Sequence, residues 1–246
     1  MNKAHYFFTV LISVGVLLAG CATFVNPLTG RQESVLLGTP YEVALGRQMQ
    51  AEIARTYPPD PSPETQARAQ RILQQLAPHA DRQDISYECT VVKNNTVNAF
   101  VVPGGFIYVH SALLEQANDD ELCAVIAHEI GHVVARHGIK KLQANLGFSL
   151  LMNIVLGAES AEKTRQILGV CFSLVSLGYS RQDEFAADEL AIKYTRAAGY
   201  NPEGLASFFE KLRLKYGDVS SFEAWASDHP PLKQRIERIR QLSARG

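Results

Sequence analysis

The sequence predicts a mainly helical α+β domain with a small β-sheet beside one buried helix. Three observations lead to this. Capped stretches with helical periodicity recur along most of the chain. Three short strand candidates stand close together around Pro103-Gly104-Gly105. The run from Asp120 to His137 carries Leu122, Val125, Ile126, Ile130, Val133 and Val134 around most of its circumference, so it belongs inside the domain.

Residues 1–20 stand apart as a signal peptide. Lys3 supplies a positive start, and Tyr6 to Leu18 form an apolar run too short for a permanent span. The run ends in Leu18-Ala19-Gly20-Cys21, which resembles the lipobox of bacterial lipoproteins. An ordinary signal peptide with a chance cysteine is the bland alternative. Cleavage before Cys21 leaves that cysteine lipidated at the new N-terminus and holds the chain to a membrane surface without a spanning helix. Ala22 stands where an inner-membrane retention signal would show Asp. That favours the outer membrane of a Gram-negative cell, facing the periplasm. Residues 21–38 then read as a flexible tether, and 39–246 as the folded domain.

Formal charge is −1, one unit more negative without Lys3, and nothing is basic enough for nucleic acid. About 225 residues beyond the leader suffice for one well-buried catalytic domain. Besides Cys21 there are Cys89, Cys123 and Cys171. An odd count without close spacing argues against a disulfide framework, and Cys123 and Cys171 read as small core residues.

Along the domain, Thr39-Pro40 opens a helix to about Tyr57, with Thr39 as the expected cap. The proline-rich stretch from Pro58 to Pro63 stops it, and a second helix runs from Pro63 to Leu76. Ile85–Val92, Val97–Val102 and Phe106–Val109 are the strand candidates, the last two joined by the Pro-Gly-Gly turn. Asn118 to Glu121 offers an acidic helix start and Gly138 a stop, giving one helix over about 120–137. The apolar runs Leu146–Leu156 and Ile167–Leu177 are too short to span a membrane and read as core or lid helices. Further helices are expected over about Gln182–Ala198, Pro202–Tyr216 and Leu232–Leu242.

The buried helix contains His128-Glu129-Ile130-Gly131-His132, the H-E-x-x-H arrangement that binds zinc and activates water. Histidines four apart share one helical face, so both imidazoles reach a single ion at about 2.0–2.1 Å. Glu129 points beside that ion, where a general base takes a proton from water. One Zn2+ per chain is the implied cofactor.

A catalytic zinc needs a third protein ligand and an open water position. The metzincin extension would need Gly at position 135 and His at 138, where Ala135 and Gly138 stand. His137 is one residue out of register and reads as a solvent-facing helix-end residue. The best candidate is Glu184, which shares a helical face with Asp188. Asp188 would accept a hydrogen bond from the far nitrogen of a ligand imidazole. An exposed acidic stripe is the alternative, with Asp183 and Glu189 as competing acids. Ala186 and Ala187 favour close packing against another helix.

With HEIGHVVARH followed some fifty residues later by SRQDEFAADELA, the chain resembles the M48 metallopeptidases, particularly their periplasmic, lipid-anchored or soluble branch. The similarity runs from about Tyr41 to Leu242. It takes in Asn98-Ala99-Phe100 with Pro103-Gly104-Gly105, and Asp228-His229-Pro230-Pro231 with Arg235-Ile236. The resemblance implies a gluzincin-type α+β peptidase domain, with His128, His132 and Glu184 as zinc ligands, Glu129 as catalytic base and Asp188 behind a ligand. It implies hydrolysis of peptide bonds within a protein chain.

His229 and Arg235 are the available donors for the oxyanion, although a His before Pro is more often a helix cap or turn residue. A sharper expectation has His229 swinging onto zinc as a fourth ligand and holding the enzyme latent. The strand over Val97–Val102 is expected beside the cleft, where an exposed edge holds extended substrate by backbone pairing; a strand paired on both sides is the alternative. Asn98 is the expected substrate contact there.

The leading reading is a zinc endopeptidase for quality control of envelope or outer-membrane proteins. Its partners are unfolded or misassembled chains, the membrane surface and outer-membrane assembly machinery. A chaperone that cleaves only occasionally, and a lipoprotein whose zinc is structural, are the competing readings. Glu129 argues against the last, since a structural site closes with four ligands and needs no adjacent base.

Overall fold

The computed structural model describes residues 22–216 and 232–245. Cys21 and His229 lie outside the described residues.

The domain is mainly helical with a small sheet, as expected, but it carries a second, two-stranded sheet and begins earlier. Residues 21–38 were expected to be a tether. Instead β1 (Ala22–Val25) and β2 (Gln32–Val35) form an antiparallel hairpin. Asn26 closes its turn by accepting from the Leu28 and Thr29 amides. Val35 and Leu37 are buried in the core, and the Gln143 side-chain oxygen accepts from the Leu36 and Leu37 amides at 2.7 and 3.0 Å. Lys140 pairs with Glu33. These partners lie more than a hundred residues away, so local composition gives no sign of the docking.

Helix α1 (Thr39–Thr56) is capped by Gly38 rather than Thr39, with Pro40 in its first turn. Helix α2 (Pro63–Leu76) is capped by Ser62, whose hydroxyl accepts from the Thr65 amide. The three strand candidates form one sheet in the order β3 (Glu88–Val92), β5 (Phe106–His110), β4 (Ala99–Val102). β3 runs parallel to β5, and β4 pairs antiparallel with it as the edge. The β4–β5 turn needs left-handed backbone at Gly104 (φ 87°) and Gly105 (φ 92°), which glycine adopts without strain.

Strand alternation divides the core. Val91, Val101, Ile107 and Val109 face a cluster built with α2 and the later helices. Val92, Val102, Phe106 and Tyr108 face a second cluster with α1 and the hairpin. After the short α3 (Ser111–Gln116), α4 (Asp119–Val134) starts in a capping box between Asn118 and Glu121. It is almost wholly buried.

The helix expected over 120–137 stops earlier. Arg136 adopts left-handed backbone (φ 57°, ψ 31°), and α5 (His137–Leu146) begins immediately after it. For a non-glycine residue that conformation costs about 1–2 kcal/mol. At this break the Arg136 guanidinium reaches Glu42 of α1 at 2.5 Å, and Arg82 pairs with the same carboxylate at 3.0 Å.

The apolar runs become α6 (Phe148–Val155) and α7 (Ala161–Ser176), both packed into the second cluster. Among the described residues no helix is long and apolar enough to cross a membrane. The fold closes with α8 (Arg181–Ala197), α9 (Gly204–Tyr216) and α10 (Leu232–Ser243).

The α4–α8 contact sets the site. A Cβ on Gly131 would lie 3.0 Å from both the Cα and the carbonyl oxygen of Ala187, so glycine lets the two backbones approach. Gly131→Val is therefore expected to cost about 1–3 kcal/mol through overpacking. It should also weaken metal binding if His128 and His132 on α4 and Glu184 on α8 share one ion, as their spacing allows. Urea unfolding and zinc content check this; unchanged values for both would show that the approach is not needed.

Candidate active site

His128 and His132 stand one turn apart on α4, each 1% exposed. Their Nε2 atoms are 3.1 Å apart. Glu184, in the first turn of α8, completes the group from the neighbouring helix: Oε2 is 3.5 Å from His128 Nε2 and Oε1 is 3.5 Å from His132 Nε2. These three residues could hold a metal ion. Donors about 2.0–2.1 Å from a tetrahedral zinc lie about 3.3 Å from one another. The observed spacings of 3.1 to 3.5 Å therefore fit zinc without rearrangement.

Asp188, one turn further along α8, meets His128 from behind, Oδ1 to Nδ1 at 3.1 Å. Such a carboxylate fixes the imidazole tautomer and turns Nε2 towards the ligand position. Burial opposes charge on Asp188, but the Arg235 guanidinium and the His128 contact hold its carboxyl below the usual range.

Arg235 is placed differently from the oxyanion role expected for it. It is 0% exposed and spans Glu184 and Asp188 of α8. Nε and Nη2 donate to Asp188 at 2.8 and 2.6 Å, and Nη1 lies 2.9 Å from Glu184. Its guanidinium also lies over the Phe209 ring, 4.7 Å from the centroid. It braces the Glu184 and Asp188 carboxylates from inside the core, away from the cleft.

Glu129 faces the open side. It lines a cleft of about 420 Å³ with Asn98, Phe100, His110, Phe172 and Tyr179. Burial pushes its carboxyl up to about 7, close to neutral pH, where a general base works well. Asn98 stands at the start of the edge strand β4, and its backbone oxygen accepts from the His110 amide at 3.0 Å.

Sequence reasoning missed three residues here. His137, expected in solvent, is 6% exposed, and its Nδ1 is 2.9 Å from His132 Nδ1. Asp183, set aside as a competing acid, lies 3.3 Å from His137 Nε2. Tyr179 stacks on the His132 ring with centroids 4.1 Å apart. No spacing rule could find His137, because its position depends on the break at Arg136.

Residues 63–243 match the model of peptidase family M48. The chain belongs to that family. This M48 chain is 33% identical over 180 residues to the metalloprotease LoiP of Escherichia coli, covering 71% of the chain and 69% of LoiP. It is 30% identical over 173 residues to the mitochondrial metalloendopeptidase OMA1 of Schizosaccharomyces pombe, covering 70% of the chain and 51% of OMA1. With the β-barrel assembly-enhancing protease of E. coli it shares 30% identity over 149 residues, covering 56% of the chain and 30% of that protein. The M48 chain thus spans about half the length of the OMA1 protein it resembles. The expected metallopeptidase is met at the level of family.

Proposed function

We propose that this M48 chain is a zinc-dependent endopeptidase that hydrolyses unfolded or misassembled envelope and outer-membrane proteins. The observation behind this is a zinc-spaced donor triad with the buried, cleft-lining carboxyl of Glu129 next to His128 on the same helix. His128, His132 and Glu184 would hold the ion. Bound zinc supplies Lewis acidity and a water whose pKa falls towards about 7.

The rest falls to the chain's own groups. The Glu129 carboxylate takes the proton from the attacking water and passes it to the leaving amine nitrogen. Among the described residues β4 pairs on one side only, and its other edge would offer backbone to an extended substrate, which selects unfolded chains over any one sequence. Asn98 lies where that substrate would enter the cleft. With Arg235 committed to Asp188 and Glu184, the oxyanion is left to His229, which keeps its second proposed role as a latency ligand.

The sequence around Cys21 supports lipid anchoring, and Ala22 after it supports the outer membrane facing the periplasm. The name of one relative, a β-barrel assembly-enhancing protease, supports outer-membrane assembly machinery as a partner and keeps a chaperone role as the second reading. A chelator such as 1,10-phenanthroline is expected to stop cleavage of casein or an unfolded porin, and added zinc to restore it. Cleavage that continues through complete removal of metal would refute the proposal.

A further inference from the structure

His128 is braced directly by Asp188. The second histidine has a longer support. We propose that His137 and Asp183 form a positioning arm for His132, fixing its tautomer and ring angle so that Nε2 faces the metal. This inference rests on the zinc-ligand reading above.

Two imidazole nitrogens 2.9 Å apart, His132 Nδ1 and His137 Nδ1, must share one proton. As a zinc ligand His132 presents an unprotonated Nε2, so its proton sits on Nδ1 and donates to His137 Nδ1. The proton of a neutral His137 is then on Nε2, which faces Asp183 Oδ1 at 3.3 Å. Every donor in the series meets an acceptor. The reverse order would put a proton on His132 Nε2, where the metal must bind.

Asp183 is itself held in place. Its Oδ2 accepts from the Ser180 amide at 3.2 Å and from the Ser180 hydroxyl at 2.7 Å, closing the capping box of α8. The same helix start therefore carries the third ligand Glu184 and the anchor of this arm, with Asp188 one turn on. Tyr179 stacks on the His132 ring and limits its tilt.

The break at Arg136 makes the arm available. Five residues along a continuous helix, His137 would lie about 140° round from His132, on another face. Left-handed backbone at Arg136 turns the chain so that His137 comes back against His132.

The test uses the purified full-length chain, with zinc affinity measured by competition with a chromophoric chelator and the ligand field read from the visible spectrum of the Co2+ form. His137→Phe should lower zinc affinity about 10–100-fold and alter the Co2+ spectrum. His137→Asn, whose carbonyl can stand in for Nδ1, should recover most of both. His137→Gln, whose carbonyl falls nearer the Nε2 position, should not. If H137F fails to fold, the contrast between H137N and H137Q decides. Wild-type affinity and spectrum in H137F, or equal losses in H137N and H137Q, would overturn the arm. A wild-type chain that binds no zinc would instead sink the ligand set itself, and the arm with it.

Discussion

Glu129→Gln is expected to lower kcat/KM on an unfolded protein substrate by about 10²–10⁴-fold, the usual contribution of a positioned general base. Zinc content and thermal stability should stay near wild type. The amide keeps the size of the side chain but cannot take the proton from water or return it to the amine. Glu129 is 4% exposed, and exchanging a carboxyl raised to about 7 by burial for a neutral amide adds no buried charge. The variant also separates the two functional readings. A peptidase role predicts that E129Q fails to support envelope function in cells. Full function with no cleavage would move the chain to the chaperone reading.

Arg235→Met is expected to destabilise the fold by about 3–5 kcal/mol, the range for removing one partner of a buried ion pair. Asp188 and Glu184 are both 0% exposed, and the lost guanidinium touches each of them. Without it their charges repel in a low dielectric, His128 loses a fixed Asp188, and zinc binding should fall as well. Arg235→Lys is not expected to rescue. A single ammonium cannot reproduce three donors aimed at two carboxylates in one plane. Urea titration with zinc content decides this; wild-type values for R235M would show that the acids are held by something else.

The legible parts of the site were those set by local helical geometry. The His128–His132 pair and the Glu184–Asp188 pair each follow from a four-residue spacing on one helix. Spacing alone leaves Asp183 and Glu189 as competitors to Glu184, which the family resemblance favours; the close approach of Gly131 to Ala187 brings α8 against the helix that carries both histidines. His137 was illegible because the residues before it continue a helical pattern, whereas the break answers to Glu42, ninety-four positions earlier. Arg235 was legible as a site residue but not in its place, since a charged side chain in a polar helix gives no hint of complete burial. The strands emerged close to their expected bounds because alternation and the Gly-Gly turn are local signals. The hairpin did not, because the contacts that dock it on the domain are distant in sequence.

That hairpin bears on how far the enzyme can reach. A loose segment of eighteen residues would let the cleft roam about 60 Å from a lipid anchor, and proteins passing at any height within that radius would be at risk. With β1 beginning at Ala22 and docked on the domain, the proposed lipid on Cys21 would leave almost no leash. On the proposed lipid anchoring, the cleft would ride close to one altitude above the bilayer, and exposure to cutting would become a matter of where along its length a stalled protein is unfolded.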